Sequence, residues 1–306
     1  MVTLTVPFTT ALITPLPVVE DRTVPVIWPD ALVVKGALRP WQAWPLARLM
    51  DRLYRKSDRI VSLTPGIKTE IVRKGFSASK VDVFPNGFDP ELFEGAASQR
   101  SEVRRRYGWG DDFVAIYTGS FQKVTAVDVF VRAAEELRSA NGVRIALFGA
   151  GPTREEVRRL AASRGVGHVE FHDPVPKSEV PALLGAADVG LMALFRSPLV
   201  HIYFENKLMD YMGAGLPILA AMEGEQARVI REHATGRVVG TYDHVGLAQA
   251  LLELRQQPGL LRQMGVNGRA LVEKSLLLPA ILERYARRVE DCAAGLGPTL
   301  DAWEPL

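Results

Sequence analysis

Lys207 and Asp210 stand three residues apart in the segment His201–Ala220, HIYFENKLMDYMGAGLPILA. The pattern predicts a long loop, then a short helix from near Asn206. Gly213 or Gly215 ends that helix and Pro217 opens a strand. The first turn of a helix presents free N–H groups and the positive end of its dipole, which suits anions. Lys207 adds a point charge there, and residues at i and i+3 share a face. One turn thus offers a cation for a diphosphate and a carboxylate for ribose hydroxyls. The same spacing also describes an ordinary surface Lys–Asp pair, and spacing alone does not choose between the two. His201, on the loop before the helix, is a further candidate.

A second candidate is Tyr117–Lys123, YTGSFQK, directly after a predicted strand. Gly119 would let backbone approach a phosphate closely. The bland alternative is a plain strand-to-helix turn. Gly149-Ala150-Gly151-Pro152 reads as structural, because Arg154 occupies the third glycine position of a dinucleotide fingerprint. That disfavours nicotinamide-dependent hydride transfer. Other chemistries are missing outright. No two aspartates are separated by one residue, and neither a phosphate-loop motif nor a G-x-S-x-G nucleophile elbow occurs. The single cysteine, Cys292, makes neither an internal disulfide nor a cysteine-based zinc site, which fits a reducing cytoplasm.

Positioning these residues requires a sheet. From about residue 112, β-rich runs alternate with helical-period runs. The strands are expected at Phe113–Thr118, Val143–Phe148, His168–His172, Asp188–Leu194, Pro217–Ala221 and Arg237–Gly240. Six strands alternating with helices predict a complete doubly wound parallel sheet in an α/β fold. Upstream, only three strands are expected, at Val24–Trp28, Arg59–Leu63 and Lys80–Phe84, so that part reads as an incomplete Rossmann-like domain. The domain reading is therefore 1–95, 96–290 and a tail 291–306, with the linker near Asn86–Gln99.

Lys+Arg 37 against Asp+Glu 35 gives a formal charge of +2, which excludes a global nucleic-acid-binding field. Locally, Arg39, Trp41, Trp44, Arg48, Arg52, Arg55 and Lys56 cluster around a helix expected between Ala47 and Ser57. Leu46, Leu49 and Leu53 are expected to face its core. Tryptophan among basic residues suits an anionic bilayer surface, although a solvated basic helix face gives the same pattern.

Ordered blocks carry a resemblance to a known family. They are Trp28-Pro29-Asp30, Ser57–Gly66, Phe84–Asp89, Tyr117–Ser120, Phe148–Pro152, Ala187–Gly190 and Lys207–Pro217. From about Val24 to Ala286 the chain resembles the retaining glycosyltransferases of family 4, whose GT-B fold has two Rossmann-like domains. The blocks look nearest to bacterial surface-polysaccharide enzymes of the fucosamine-transferase-like group. The resemblance implies a nucleoside-diphosphate sugar held mainly by the C-terminal domain, with no cofactor and no required metal. Lys207 would meet the diphosphate and Asp210 the ribose, as the candidate catalytic pair. Gly119, Ser120 and Lys123 would serve the diphosphate. Asp173, Pro174 and Val175 would lie against the base, and Glu205 and Asn206 near the sugar. The acceptor would be lipid-linked or a saccharide, reached by a cytoplasmic protein peripheral to the inner membrane face. Ile202 and Asp210 stand where the family carries two glutamates, and Thr125-Ala126 replaces a basic or amide residue followed by glycine. The family's N-terminal domain begins further upstream, so the acceptor side is expected to be incomplete. A catalytically silent nucleotide-sugar-binding remnant is the alternative reading.

Overall fold

A computed structural model of the chain describes residues 21–24, 33, 38–196 and 204–295. It divides into two compact units, one of Met1–Pro85 with Ala280–Pro305, the other of Asn86–Pro279 with Leu306.

In the first unit, strands β1 (Asp21–Val24), β2 (Arg59–Ser62) and β3 (Val81–Val83) form a parallel sheet in sequence order. The described strand, Asp21–Val24, shares only Val24 with the strand expected at Val24–Trp28, whose residues 25–28 lie outside the described ones. Helix α1 (Pro40–Lys56) starts seven residues earlier than the leucine pattern indicates, because Pro40 supplies a first-turn start. Its inward face is set by Ala43 and Tyr54, so Leu49, expected inside, is 48% exposed. Helix α2 (Pro65–Arg73) is capped by Thr64, whose hydroxyl accepts the Ile67 N–H at 3.0 Å.

The second unit holds strands β4 (Phe113–Thr118), β5 (Val143–Phe148), β6 (Val169–His172), β7 (Val189–Ala193), β8 (Ile218–Ala221) and β9 (Gly236–Val239). Its helices are α3 (Arg100–Arg106), α4 (Asp128–Glu136), α5 (Arg154–Arg164), α6 (Val180–Ala186), α7 (Asn206–Gly213), α8 (Glu225–Glu232), α9 (His244–Arg255) and α10 (Pro258–Ser275). All strand pairs are parallel, in the order β6-β5-β4-β7-β8-β9. β4 and β7 are almost wholly buried because helices cover both faces of the sheet, which is why they read as unbroken apolar runs. The order reverses between β4 and β7. In such sheets ligands bind outside the carboxyl ends of the strands at that switch point.

The boundary falls at Pro85–Asn86, ahead of the expected 95. Helix α11 (Leu278–Ala293) belongs to the first unit from Ala280 onward, contrary to the assignment of 96–290 to one domain. The physical reason is side-chain pairing. Arg288, 3% exposed, binds Asp82 of β3 at 2.9 Å, and Tyr285 packs edge-on against Phe84 with ring centroids 5.3 Å apart. Amphipathic spacing shows that α11 is a helix but not which core receives it.

Candidate functional site

The loop after β4 and the start of α7 meet at the switch point. Lys207, in the first turn of α7, is 8% exposed. Its ammonium lies 4.1 Å from the centroid of the Tyr117 ring on β4 and 3.2 Å from a Glu205 carboxylate oxygen. A Cβ on Gly119 would come 2.9 Å from the Lys207 Nζ, so the missing side chain there leaves room for the cation. Burial disfavours the charged form of Lys207. The Glu205 charge and the oxygens of Tyr117 and Tyr211 outweigh it and hold the ammonium above its usual range. The residue is a fixed positive charge at any physiological pH.

Lys207 and Asp210 form no ion pair with one another; the lysine turns to Glu205 instead, so a surface Lys–Asp pair does not describe them. Asp210 is partly buried. Desolvation raises its carboxyl pKa, and the Lys177 charge only partly offsets that. Asn206 is exposed, and its amide oxygen accepts a hydrogen bond from the Asn86 side chain.

The turn Gly119–Phe121 is laid against the turn after β5. The Gly119 N–H donates to the Phe148 carbonyl at 3.0 Å and the Phe121 N–H to the Ala150 carbonyl at 2.8 Å. A Cβ on Gly149 or Gly151 would sit 1.8 Å from Gly119 O or 2.2 Å from Phe121 O. Both glycines have strongly positive φ, so they are structural, as their sequence suggests. The Gly119 amide is therefore already engaged. The Ser120 N–H lies between the two bonded amides and has no acceptor among the described residues.

Lys123 is exposed and lines a different cavity, with Gln122, Asp128, Arg132, Phe195 and Tyr242. Asp173 and Pro174 are exposed on the loop after β6, Val175 is half-buried, and Asp173 pairs with Arg154 at 2.9 Å. His201 and Ile202 lie outside the described residues. The structure thus brings together Gly119, Ser120, Glu205 and Lys207, and leaves Lys123 apart.

Gln226 escaped the sequence reading. It is 1% exposed at the start of α8, and its side-chain oxygen accepts the Glu205 N–H at 2.9 Å. Its amide nitrogen and one Glu205 carboxylate oxygen are buried without a hydrogen-bond partner among the described residues, while the Lys207 ammonium is buried against the other Glu205 oxygen and the Tyr117 ring. A polar amide on the buried side of a helix that follows a core strand is the signal that could have revealed it. Tyr211 on α7 packs over Gly190, where a Cβ would come 2.4 Å from the ring. Its hydroxyl accepts the Thr118 N–H at 3.0 Å, and burial pushes its pKa up to about 12.

Residues 112–257 match the family described as "Glycosyl transferases group 1" and residues 8–87 the "Glycosyl transferase 4-like domain". Both matches are to glycosyltransferase domains. A GDP-mannose-dependent alpha-(1-6)-phosphatidylinositol monomannoside mannosyltransferase of Mycolicibacterium smegmatis is 28% identical over 75% of the chain and 61% of its own length. A D-inositol 3-phosphate glycosyltransferase of Salinispora arenicola is 30% identical over 74% of the chain and 53% of its own length. The chain thus spans between half and two thirds of the length of these relatives. Among solved structures, Anabaena Alr3699/HepE in complex with UDP and glucose superposes with a TM-score of 0.74 at 18% identity, covering 88% of this chain and 71% of that one. WaaG, a glycosyltransferase involved in lipopolysaccharide biosynthesis, gives 0.70 at 18%, covering 88% and 74%. These likenesses fit the GT-B fold expected from the resemblance.

Proposed function

We propose that this glycosyltransferase transfers a sugar from a nucleoside-diphosphate donor with retention of anomeric configuration. The observation that carries the reading is the buried, permanently charged Lys207 at the sheet's switch point, beside Gly119 and the unengaged Ser120 amide. Lys207, the Ser120 N–H and the free amides of the first α7 turn would stabilise the charge that builds on the departing diphosphate. One such contact is worth about 3 kcal/mol of barrier. Asp210 would hold the ribose, and the loop Asp173–Val175 the base. Glu205 and Gln226 would approach the sugar.

The resemblance to fucosamine-transferase-like enzymes supports a place in surface-polysaccharide or glycolipid synthesis. The acceptor would then be lipid-linked or a saccharide, met by a cytoplasmic protein at the inner membrane face. No helix among the described residues is long and apolar enough to cross a membrane. Calorimetry with UDP and GDP tests the donor site, and NMR of the first-formed anomer in a transfer assay tests retention. No heat with either nucleotide at millimolar concentration, or an inverted product, would overturn the respective part.

A further inference from the structure

The cavity that Lys123 lines measures about 630 Å³ and shares no residue with the Lys207 cluster. Small-molecule sites span about 300–1,000 Å³. Phe195 and Tyr242 stand in its wall, 46% and 37% exposed, with ring centroids 5.8 Å apart and planes at 87°. The Phe195 N–H is tied to the Val124 carbonyl at 2.8 Å. Ala126, also in the lining, and Tyr242 are two of the three non-glycine residues with positive φ among the described ones, at 42° and 62°. A side chain as large as tyrosine is disfavoured in that region. The turn itself does not call for an aromatic. The His244 N–H donates to the Tyr242 carbonyl at 2.9 Å, and Asp243 caps α9 by accepting the Gly246 N–H at 2.8 Å. The ring is therefore held against a backbone strain that the fold does not need and a ligand contact would explain.

Polar groups surround the two rings. Lys123, Arg132 and Arg159 share the lining with Asp128 and Glu156, and Arg132 pairs with Asp128 at 3.4 Å. The Lys123 ammonium and the Glu156 carboxylate are exposed and have no partner among the described residues. Burial and the Asp128 charge raise the pKa of the Tyr242 hydroxyl, with Arg132 partly offsetting them. The phenol thus keeps its proton and can both donate and accept. We infer that this cavity binds a neutral saccharide. A pyranose has an apolar C–H face that rests on an aromatic ring, and two rings at right angles make a corner for it. Its hydroxyls bond to cations and carboxylates alike. An anion would meet Asp128 and Glu156, and a wholly apolar ligand would strand every charge in the wall. The ligand class follows from the walls of the cavity and goes beyond the donor reading above. A free sugar and a segment of a longer glycan share this chemistry.

The test is backbone-amide NMR of the full chain, with and without UDP. The probes are glucose, mannose and N-acetylglucosamine, and a linear trisaccharide of each, at millimolar concentrations. Shifts are expected at Lys123, Asp128 and Tyr242 with at least one of these sugars, whether or not UDP is present. A trisaccharide that binds about tenfold tighter than its monosaccharide assigns a glycan segment, and equal affinity assigns a free sugar. Phe195→Ala and Tyr242→Asn should each weaken sugar binding about tenfold. Asparagine accepts a positive φ, so Tyr242→Asn should melt no lower than wild type. UDP or GDP affinity should be unchanged in both variants. No shift at these residues with any of the sugars overturns the inference. So does a Tyr242→Asn variant that binds sugar like wild type or melts lower, which would make the ring a packing element. A wild-type dimer in sedimentation velocity that Phe195→Ala dissolves overturns it too, by making the rings an interface between copies. Loss of UDP and GDP binding while the sugar shifts persist would instead sink the donor-site reading alone.

Discussion

At the scale of residues, Lys207 and Glu205 form a mutually dependent buried pair. Lys207→Ala should weaken nucleoside-diphosphate binding by about 1.5–3 kcal/mol, the range for a hydrogen bond to a charged group. It should also cost stability, on the order of 3 kcal/mol, because Glu205 is left buried with its charge uncompensated. The double variant Lys207→Met/Glu205→Gln separates the two effects. Thermal melts should recover toward wild type while calorimetry still shows the lost affinity; recovery of both would make the lysine purely structural. Asp210 carries a linked prediction. Its folded-state pKa is raised, so its stabilising contribution is complete only below the ordinary value near 3.8 and is lost as pH rises through the raised one. Asp210→Asn should therefore raise the melting temperature at pH 7, with the gain shrinking toward pH 4. Nucleotide affinity should fall at the same time, since an amide accepts a ribose hydroxyl less strongly. A variant that is no more stable than wild type at pH 7 would contradict this account of the site.

At the scale of elements, α7 is held in place by two rings seated on glycines. A Cβ on Gly190 would strike the Tyr211 ring at 2.4 Å, and one on Gly213 would strike Phe88 at 2.0 Å. Gly190→Ala should displace Tyr211, costing about 1–3 kcal/mol as overpacking does. Nucleotide affinity should drop although no ligand-facing group has changed. Chemical denaturation with parallel calorimetry checks both, and an unperturbed affinity would show that α7 is not positioned through Tyr211. The six strands of the second unit were legible in the sequence because each is a short β-rich run flanked by helical periods; burial on both faces makes the four inner strands apolar, while the edge strands β6 and β9 are only partly buried. β1 was not, since Asp21 and Arg22 give it no apolar run. Lys207 was found through its neighbours Asn206 and Asp210, yet its partner was misread. Helical spacing places side chains by face, whereas Glu205 lies just before the helix and reaches back along its axis. Gln226 comes from a separate strand–helix unit, and no local pattern joins it to Glu205.

At the scale of the whole molecule, the second unit owns the large apolar core and every described residue of the Lys207 cluster. A fragment of residues 86–279 should fold cooperatively and bind the nucleotide within about threefold of the full chain. A fragment extended through α11 should behave worse, because α11 would carry Arg288 without Asp82 and expose the ring of Tyr285. Differential scanning calorimetry and titration on both fragments decide it. A shorter fragment that fails to melt cooperatively would mean that the two units are not separately stable.

The interlocked turns after β4 and β5 have a consequence in time as well as in space. Because the Gly119 and Phe121 amides are tied to Phe148 and Ala150, their hydrogens should exchange with solvent only through rare opening of the sheet. The Ser120 hydrogen, between them on the same rigid backbone, has no such tie and should be replaced quickly. One amide in this turn is thus a natural clock. Added nucleoside diphosphate should slow Ser120 alone, while its two neighbours keep their pace.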